Sequence, residues 1–252
     1  MSVLPGAEPY SHEGGPVAVL LCHGFTGCPQ SLRPWAEYLA GEGLAVSLPR
    51  LPGHGTTWQE MARTRWEDWY AEVDRAFGEL QATADEIFVM GLSMGACLAL
   101  RLAELHGRAV SGLVLVNPSV TADTKLFLLA PVMKLVVPSL KGVGSDIKKE
   151  GVTELAYDRM PTKAAATLPG LWKLTQRDLG QVAAPTLVYR SPDDHVVGPA
   201  SLEILRKTLP ASQLEVRECP DSYHVATLDN DSETIFTGSL DFVRSHSHAG
   251  KE

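Results

Sequence analysis

Ile87-Phe88-Val89-Met90-Gly91-Leu92-Ser93-Met94-Gly95 passes from an unbroken apolar run into a pentapeptide with glycine at both ends, and a helix-like run, Ala96 to Leu105, follows at once. The order predicts a strand, a tight turn and a helix. In so sharp a turn, side chains two residues either side of Ser93 would collide with neighbouring backbone. Glycine at 91 and 95 removes the Cβ that would cause it. Ser93 Oγ is then held at the tip of the turn, within reach of a ligand. G-x-S-x-G also arises in ordinary glycine-rich turns, so the rest of the chain has to agree with it.

Working outward, strand-length apolar runs alternate with amphipathic helical segments. Val17–Cys22, Leu44–Leu48, Ile87–Met90, Val110–Val116, Thr186–Arg190 and Gln213–Val216 read as strands. Gln30–Gly41, Trp66–Gln81, Pro199–Leu209 and Ser232–Arg244 read as helices, the second from the spacing of Trp66, Trp69, Tyr70, Val73, Phe77 and Leu80. Alternating β and α with unbroken apolar strands predicts an α/β fold, a mostly parallel central sheet flanked by helices on both faces. Residues 118–178 break the rhythm with no clear strand and are too long for a loop in a compact domain, so we read them as a small inserted cap within a single domain, 1–252. Within it Phe127, Leu128, Leu129, Val132, Met133, Leu135 and Val136 are more apolar than a solvated insertion requires. Two readings stand: this face packs on the sheet, or part of it lines an apolar pocket above Ser93.

The chain has 252 residues, 44% apolar and 21% charged, with a net charge of −8. There is no long basic run, so neither nucleic acid nor an anionic bilayer is an expected partner. Residues 1–16 lack the basic start and apolar core of a secretory signal, and the apolar stretch Leu126–Leu140 is interrupted by Pro131, Lys134 and Pro138. Stable membrane insertion is therefore not expected, and a cytoplasmic location is. Of the four cysteines, Cys22 and Cys97 lie in apolar runs and read as buried thiols, Cys28 as a candidate for exposure; no C-x-x-C pair is present among them. The tail Ser245–Glu252 is expected to fray, and its His246 and His248 do not make a metal site.

A serine needs a base within hydrogen-bond reach, and histidine is suited to the task near neutral pH. In a sheet whose turn follows a central strand, acid and base come from loops after later strands, in the order serine, acid, histidine. That order removes His12, His23 and His54; His106 lies at the wrong end of the following helix, and His246 and His248 in the tail. His224, in the loop after Gln213–Val216, becomes the candidate base, and Asp194 or Asp193, in the loop with His195 after Thr186–Arg190, the candidate acid. An oxyanion needs two backbone N–H donors. Met94, following the serine, supplies one candidate. Phe25, in His23-Gly24-Phe25-Thr26-Gly27, supplies the other, with Gly24 and Gly27 permitting the turn that aims it inward.

Together, His23-Gly24-Phe25-Thr26-Gly27, Leu51-Pro52-Gly53-His54-Gly55, Gly91-Leu92-Ser93-Met94-Gly95, Asp194-His195-Val196-Val197 and Ser222-Tyr223-His224-Val225 resemble the bacterial carboxylesterase and monoacylglycerol lipase branch of the α/β-hydrolase superfamily. The likeness runs from about Val17 to Val243 and includes the cap segment Ser145 to Tyr157. It implies an α/β-hydrolase fold with a small inserted cap, a cytosolic serine esterase, Asp194 as the acid, and oxyanion donors at Phe25 and Met94. It also implies that Glu154 belongs to the polar end of the substrate site. Ala96 departs from the glycine common at that position in close relatives, a change the first helical turn should tolerate.

The expected chemistry is acyl transfer from a small-molecule carboxylic ester, a monoacylglycerol or a medium- to long-chain simple ester, without cofactor or metal. Thioester, carbon–carbon and peptide hydrolysis use the same three residues. A non-catalytic protein holding an apolar ligand is the reading from a different class.

Overall fold

The computed structural model describes residues 2–122, 137–142 and 144–248. Its strands are β1 (Tyr10–His12), β2 (Val17–Cys22), β3 (Ala45–Leu48), β4 (Glu86–Leu92), β5 (Gly112–Val116), β6 (Ser139–Lys141), β7 (Arg159–Pro161), β8 (Thr186–Arg190) and β9 (Leu214–Glu218). Its helices are α1 (Arg33–Gly41), α2 (Trp58–Met61), α3 (Trp66–Gln81), α4 (Met94–His106), α5 (Thr162–Ala165), α6 (Leu168–Asp178), α7 (Ala200–Thr208) and α8 (Ser232–His246).

Seven strands form one sheet in the order β1-β3-β2-β4-β5-β8-β9, parallel except for β1, which runs antiparallel to β3 at the edge. Successive side chains leave a strand on opposite faces, so an all-apolar strand serves two cores. Leu20, Val89, Leu113 and Val188 join α3, α4, α6 and α7 through Trp69, Phe77, Leu98, Leu171 and Leu205. Val19, Phe88, Met90, Val114 and Leu187 join α1 and α8 through Trp35, Leu39, Leu240 and Phe242. The parallel order brings the C-terminal ends of β2, β4, β5, β8 and β9 to one rim of the sheet, where ligands bind in open α/β folds.

The expected strands and helices are present within a few residues of their predicted bounds, and β2, α3 and β8 match to the residue. Three differences have physical reasons. The short edge strand β1 lies among Gly and Pro, with only Tyr10 of its residues half-buried, so no alternation marks it. The stretch between β5 and β8 does contain strands, the antiparallel hairpin β6–β7, but each has three residues, too few for a period. The tail is ordered further than expected: α8 continues to His246, whose ring lies 4.3 Å from that of Phe242. The apolar residues Phe127 to Val136 lie outside the described residues. Further along the same stretch, α6 is built into the main core through Leu171 and Trp172, and Arg101 of α4 pairs with Asp178 at its end (2.8 Å).

Candidate active site

At the junction of β4 and α4, Ser93 takes φ 57° and ψ −117°. A non-glycine residue there stores about 1–3 kcal/mol of strain and persists only where its surroundings hold it. They do so through backbone: Ser93 N–H donates to Val116 O (2.9 Å), and Ser93 O accepts from Ser119 N–H (3.2 Å). Both flanking glycines lack space for a side chain. A Cβ on Gly91 would stand 2.5 Å from the carbonyl carbon of Gly95, and one on Gly95 would run into the carbonyls of Cys22 and His23.

Two later strand ends carry the candidate acid and base. His224 Nδ1 lies 2.9 Å from Asp194 Oδ2, which also accepts from Arg190 Nη1 (2.8 Å), while Asp194 Oδ1 accepts the N–H groups of Val196 and Val197 (both 2.8 Å). Burial by itself would raise the Asp194 carboxyl. The hydrogen bond and charge of His224, with the Val197 and Val196 N–H groups, overcome it and hold the group below its ordinary value. His195, the neighbouring histidine, is largely exposed and pairs instead with Asp146 Oδ1 (2.8 Å), whose hydrogen bond and charge raise its basicity.

Asn117, at the end of β5, joins these loops. It is fully buried, with φ 44°, a conformation asparagine tolerates better than most residues. Its Nδ2 donates to Ser191 Oγ (3.0 Å) and to the carbonyls of Tyr223 (3.3 Å) and His224 (2.8 Å), and its Oδ1 accepts from Ser191 N–H (2.8 Å). Neither Asn117 nor Arg190 was among the residues singled out from the sequence. A signal for each exists: an Asn closing an apolar strand, and a cation at the end of a buried one, which needs a partner.

The loop after β2 approaches Ser93 closely: a Cβ on Gly24 would lie 3.6 Å from that of Ser93. Phe25 packs against Trp69 (5.5 Å between rings). Met94 is the first residue of α4, where leading N–H groups have no carbonyl four residues before them. The expected cause of the loop's turn needs correction. Thr26, not Gly24 or Gly27, takes the left-handed backbone, at φ 66°. Gly27 serves another purpose: a Cβ there would lie 2.5 Å from Glu154 Oε1, so the glycine makes room for that carboxyl. Glu154 is half-buried overall with its carboxyl end enclosed, and burial pushes that carboxyl up to about 7 against the opposing charge of His224. Cys28, expected to be a candidate for exposure, is fully buried, and its Sγ–H donates to Leu155 O (3.3 Å).

His23 fixes the start of this loop. Its Nδ1 lies 3.0 Å from Gly24 O and its Nε2 accepts from Leu51 N–H (3.1 Å), the pattern of a neutral imidazole. Burial lowers it to about 4 from an ordinary 6.5, and burial also lowers the adjacent His54. The unfolded chain binds these protons below about pH 6.5 and the folded chain refuses them, so stability is full above that pH and falls as pH drops towards 4. His23 alone should account for a loss of about 3 kcal/mol across the window. Urea midpoints at pH 7 and pH 5 check it: a midpoint that does not fall would rule it out.

Residues 16–231 match the family described as serine aminopeptidase, S33. The chain is 42% identical over 245 residues to the thermostable monoacylglycerol lipase of Bacillus sp. (strain H-257), covering 97% of each chain. It is 24% identical over 237 residues to the carboxylesterase of Bacillus subtilis (strain 168), covering 94% of this chain and 96% of that one. Among solved structures, one of a metagenome-derived lipolytic enzyme superposes with a TM-score of 0.94 at 40% identity, covering 97% of this chain and 100% of the other.

Proposed function

Since the chain belongs to the serine aminopeptidase S33 family and has the α/β-hydrolase fold, we propose that it hydrolyses carboxylic esters by acyl transfer through Ser93, His224 and Asp194. The observation that carries this reading is the strained Ser93 at the head of α4, its backbone bonded to Val116 beside the Asn117 that grips His224.

His224 Nε2 takes the proton of Ser93 Oγ as the oxygen attacks the ester carbonyl carbon. The carbonyl oxygen gathers negative charge between the N–H groups of Phe25 and Met94. As the carbon–oxygen bond to the alcohol breaks, His224 returns the proton to the departing oxygen. Water then repeats the sequence on the acyl-enzyme and releases the acid and free Ser93. Asp194 keeps its charge, holds Nδ1–H and stabilises the imidazolium.

For the alcohol, we propose a glycerol headgroup received by Glu154, which makes the substrate a monoacylglycerol. A carboxylate at that point accepts two hydroxyl hydrogen bonds, and the relative at 42% identity is named a monoacylglycerol lipase. Of the stretch expected to form a cap, we assign the described residues 144–157, which carry Glu154, to the cover of the site, and α6 to the main core. The four cysteines are free and buried, which suits a reducing compartment, and no described helix is long and apolar enough to cross a membrane; we propose the cytoplasm as the place of action.

The test compares kcat/KM on a monoacylglycerol and a methyl ester of the same acyl chain. The wild type should prefer the former, and more strongly above pH 7, where Glu154 is ionised, than below it. Glu154→Ala should reduce that preference about 10-fold while leaving the methyl ester within about threefold. An unchanged preference would remove Glu154 from the headgroup site.

A further inference from the structure

His224 has two separate requirements. Its imidazole must meet Asp194, and its backbone must stand at a fixed height above the sheet, because an error of about 1 Å in a reacting group is worth about 10²-fold in rate. The imidazole is held by Asp194 Oδ2. The backbone of His224 is held on both sides. Its carbonyl accepts from Asn117 Nδ2 (2.8 Å), and its N–H donates to Asp146 Oδ2 (3.1 Å).

Asp146 comes from neither loop. It lies 78 residues before His224, and its carboxylate reaches both loops at once. Oδ2 accepts the N–H of His224 and also that of His195 (3.3 Å), the residue after Asp194, while Oδ1 pairs with the His195 ring (2.8 Å). Its own carbonyl accepts Val225 N–H (3.1 Å). A second carboxylate fastens the same segment to the base loop from the other direction. Asp229, fully buried, accepts Lys148 N–H (2.7 Å) and Tyr223 N–H (2.9 Å) on Oδ2, and Lys149 N–H (2.9 Å) on Oδ1.

The far end of this segment is tied to the loop that carries Phe25. Tyr157 N–H donates to Thr26 O (3.2 Å) and Leu155 N–H to Gln30 Oε1 (2.9 Å), while Tyr157 Oη donates to Gly53 O (2.7 Å) in the neighbouring loop after β3. Residues 145–157 therefore form a strap, clasped at one end to acid and base and at the other to the loop of the candidate oxyanion donor.

We infer that Asp146 is a positioning residue for the reaction: by joining the backbone of His224 to that of the acid loop, it sets the height and spacing of the base relative to Ser93. This rests on the Ser93–His224–Asp194 reading above. Charge-assisted bonds to backbone N–H groups suit the task, since they are directional and stronger than neutral ones. The ion pair with exposed His195 adds little to it.

The experiment uses the full chain and four variants, with kcat and KM on a p-nitrophenyl ester and the rate of fluorophosphonate labelling of Ser93, all at 25 °C. Asp146→Ala should lower kcat and the labelling rate together by about 10- to 100-fold, with KM within about twofold. Asp146→Asn, which keeps an acceptor, should recover kcat to within about fivefold of wild type. His195→Ala should stay within about twofold. A lower Tm with kcat unchanged at 25 °C would make Asp146 a purely structural residue and overturn the proposal. If Asp146→Ala does not fold, Asp146→Glu decides: it keeps the charge and moves the carboxylate, so reduced kcat at unchanged KM supports the inference and wild-type kcat overturns it. Labelling of wild-type Ser93 is read separately. Its presence leaves the reading of Ser93 standing whatever Asp146 does, and its absence overturns both.

Discussion

Replacing Ser93 with alanine is expected to lower kcat by about 10⁴- to 10⁶-fold, with KM little changed. The size follows from what is lost. On the proposed mechanism, loss of Oγ leaves no acyl-enzyme, and the residual rate is that of water attacking an ester that the site still binds and whose oxyanion the N–H groups of Phe25 and Met94 would still stabilise. His224→Ala should lose a similar amount, because Ser93 then has no acceptor for its proton. Asp194→Asn should lose about 10⁴-fold: the side chain still reaches Nδ1, but the wrong tautomer is favoured. The three act as a unit, so Ser93→Ala/His224→Ala should be no slower than either single variant. Rates on a p-nitrophenyl ester and stoichiometric fluorophosphonate labelling check this. A Ser93→Ala protein retaining more than a few per cent of activity, with contaminating esterase excluded, would sink the mechanism.

The parts of the fold legible in the sequence are those whose physics is local. Val17–Cys22 is an apolar run and Thr186–Arg190 an apolar or β-branched one closed by a single cation, both buried on both faces, and Trp66–Gln81 repeats its large side chains at helical spacing. Edge strand β1 and the hairpin β6–β7 are three residues each and owe their existence to a partner. The site divides the same way. Gly91, Ser93 and Gly95 announce themselves because one sharp turn imposes all three. Ser93, an acid at Asp193 or Asp194, and His224 were legible as an order because each loop follows its own strand; the choice of Asp194 came from the family resemblance. Asn117 and Asp146 were not, since each acts across the fold: Asn117 reaches a carbonyl 107 residues away, and Asp146 two N–H groups 49 and 78 residues away. Arg190 acts locally, on Asp194 and the Val197 carbonyl a few residues on, and its signal was a cation closing a buried strand. Gly27 shows how a correct residue can be given the wrong reason. Glycine suggested conformational freedom, whereas its use is space for Glu154, a residue of a distant segment.

Space also decides the second large effect. Gly95→Ala is expected to destabilise the protein by about 3 kcal/mol or more, lowering Tm by roughly 6–12 °C in a chain of this size. In a helix, alanine is ordinarily the better residue by about 1 kcal/mol. Here the added methyl would meet the carbonyls of Cys22 and His23, the latter at 2.6 Å. Those are backbone atoms at the end of β2, a strand hydrogen-bonded to β3 and β4 on either side, so they have no rotamer to change. Relief requires α4 to move away from β2, and that displaces Ser93, at its head, from the loop holding Phe25. Activity should therefore fall even at temperatures where the variant is folded. Gly78→Ala is the matching control. Gly78 is exposed in α3 and a Cβ there meets nothing within 4 Å, so the same substitution should stabilise by about 0.5–1 kcal/mol and leave kcat unchanged. Thermal unfolding and ester hydrolysis measured on both variants give the comparison. If Gly95→Ala unfolds at the wild-type temperature with wild-type kcat, the close approach of α4 to the end of β2 is not what requires glycine at this position.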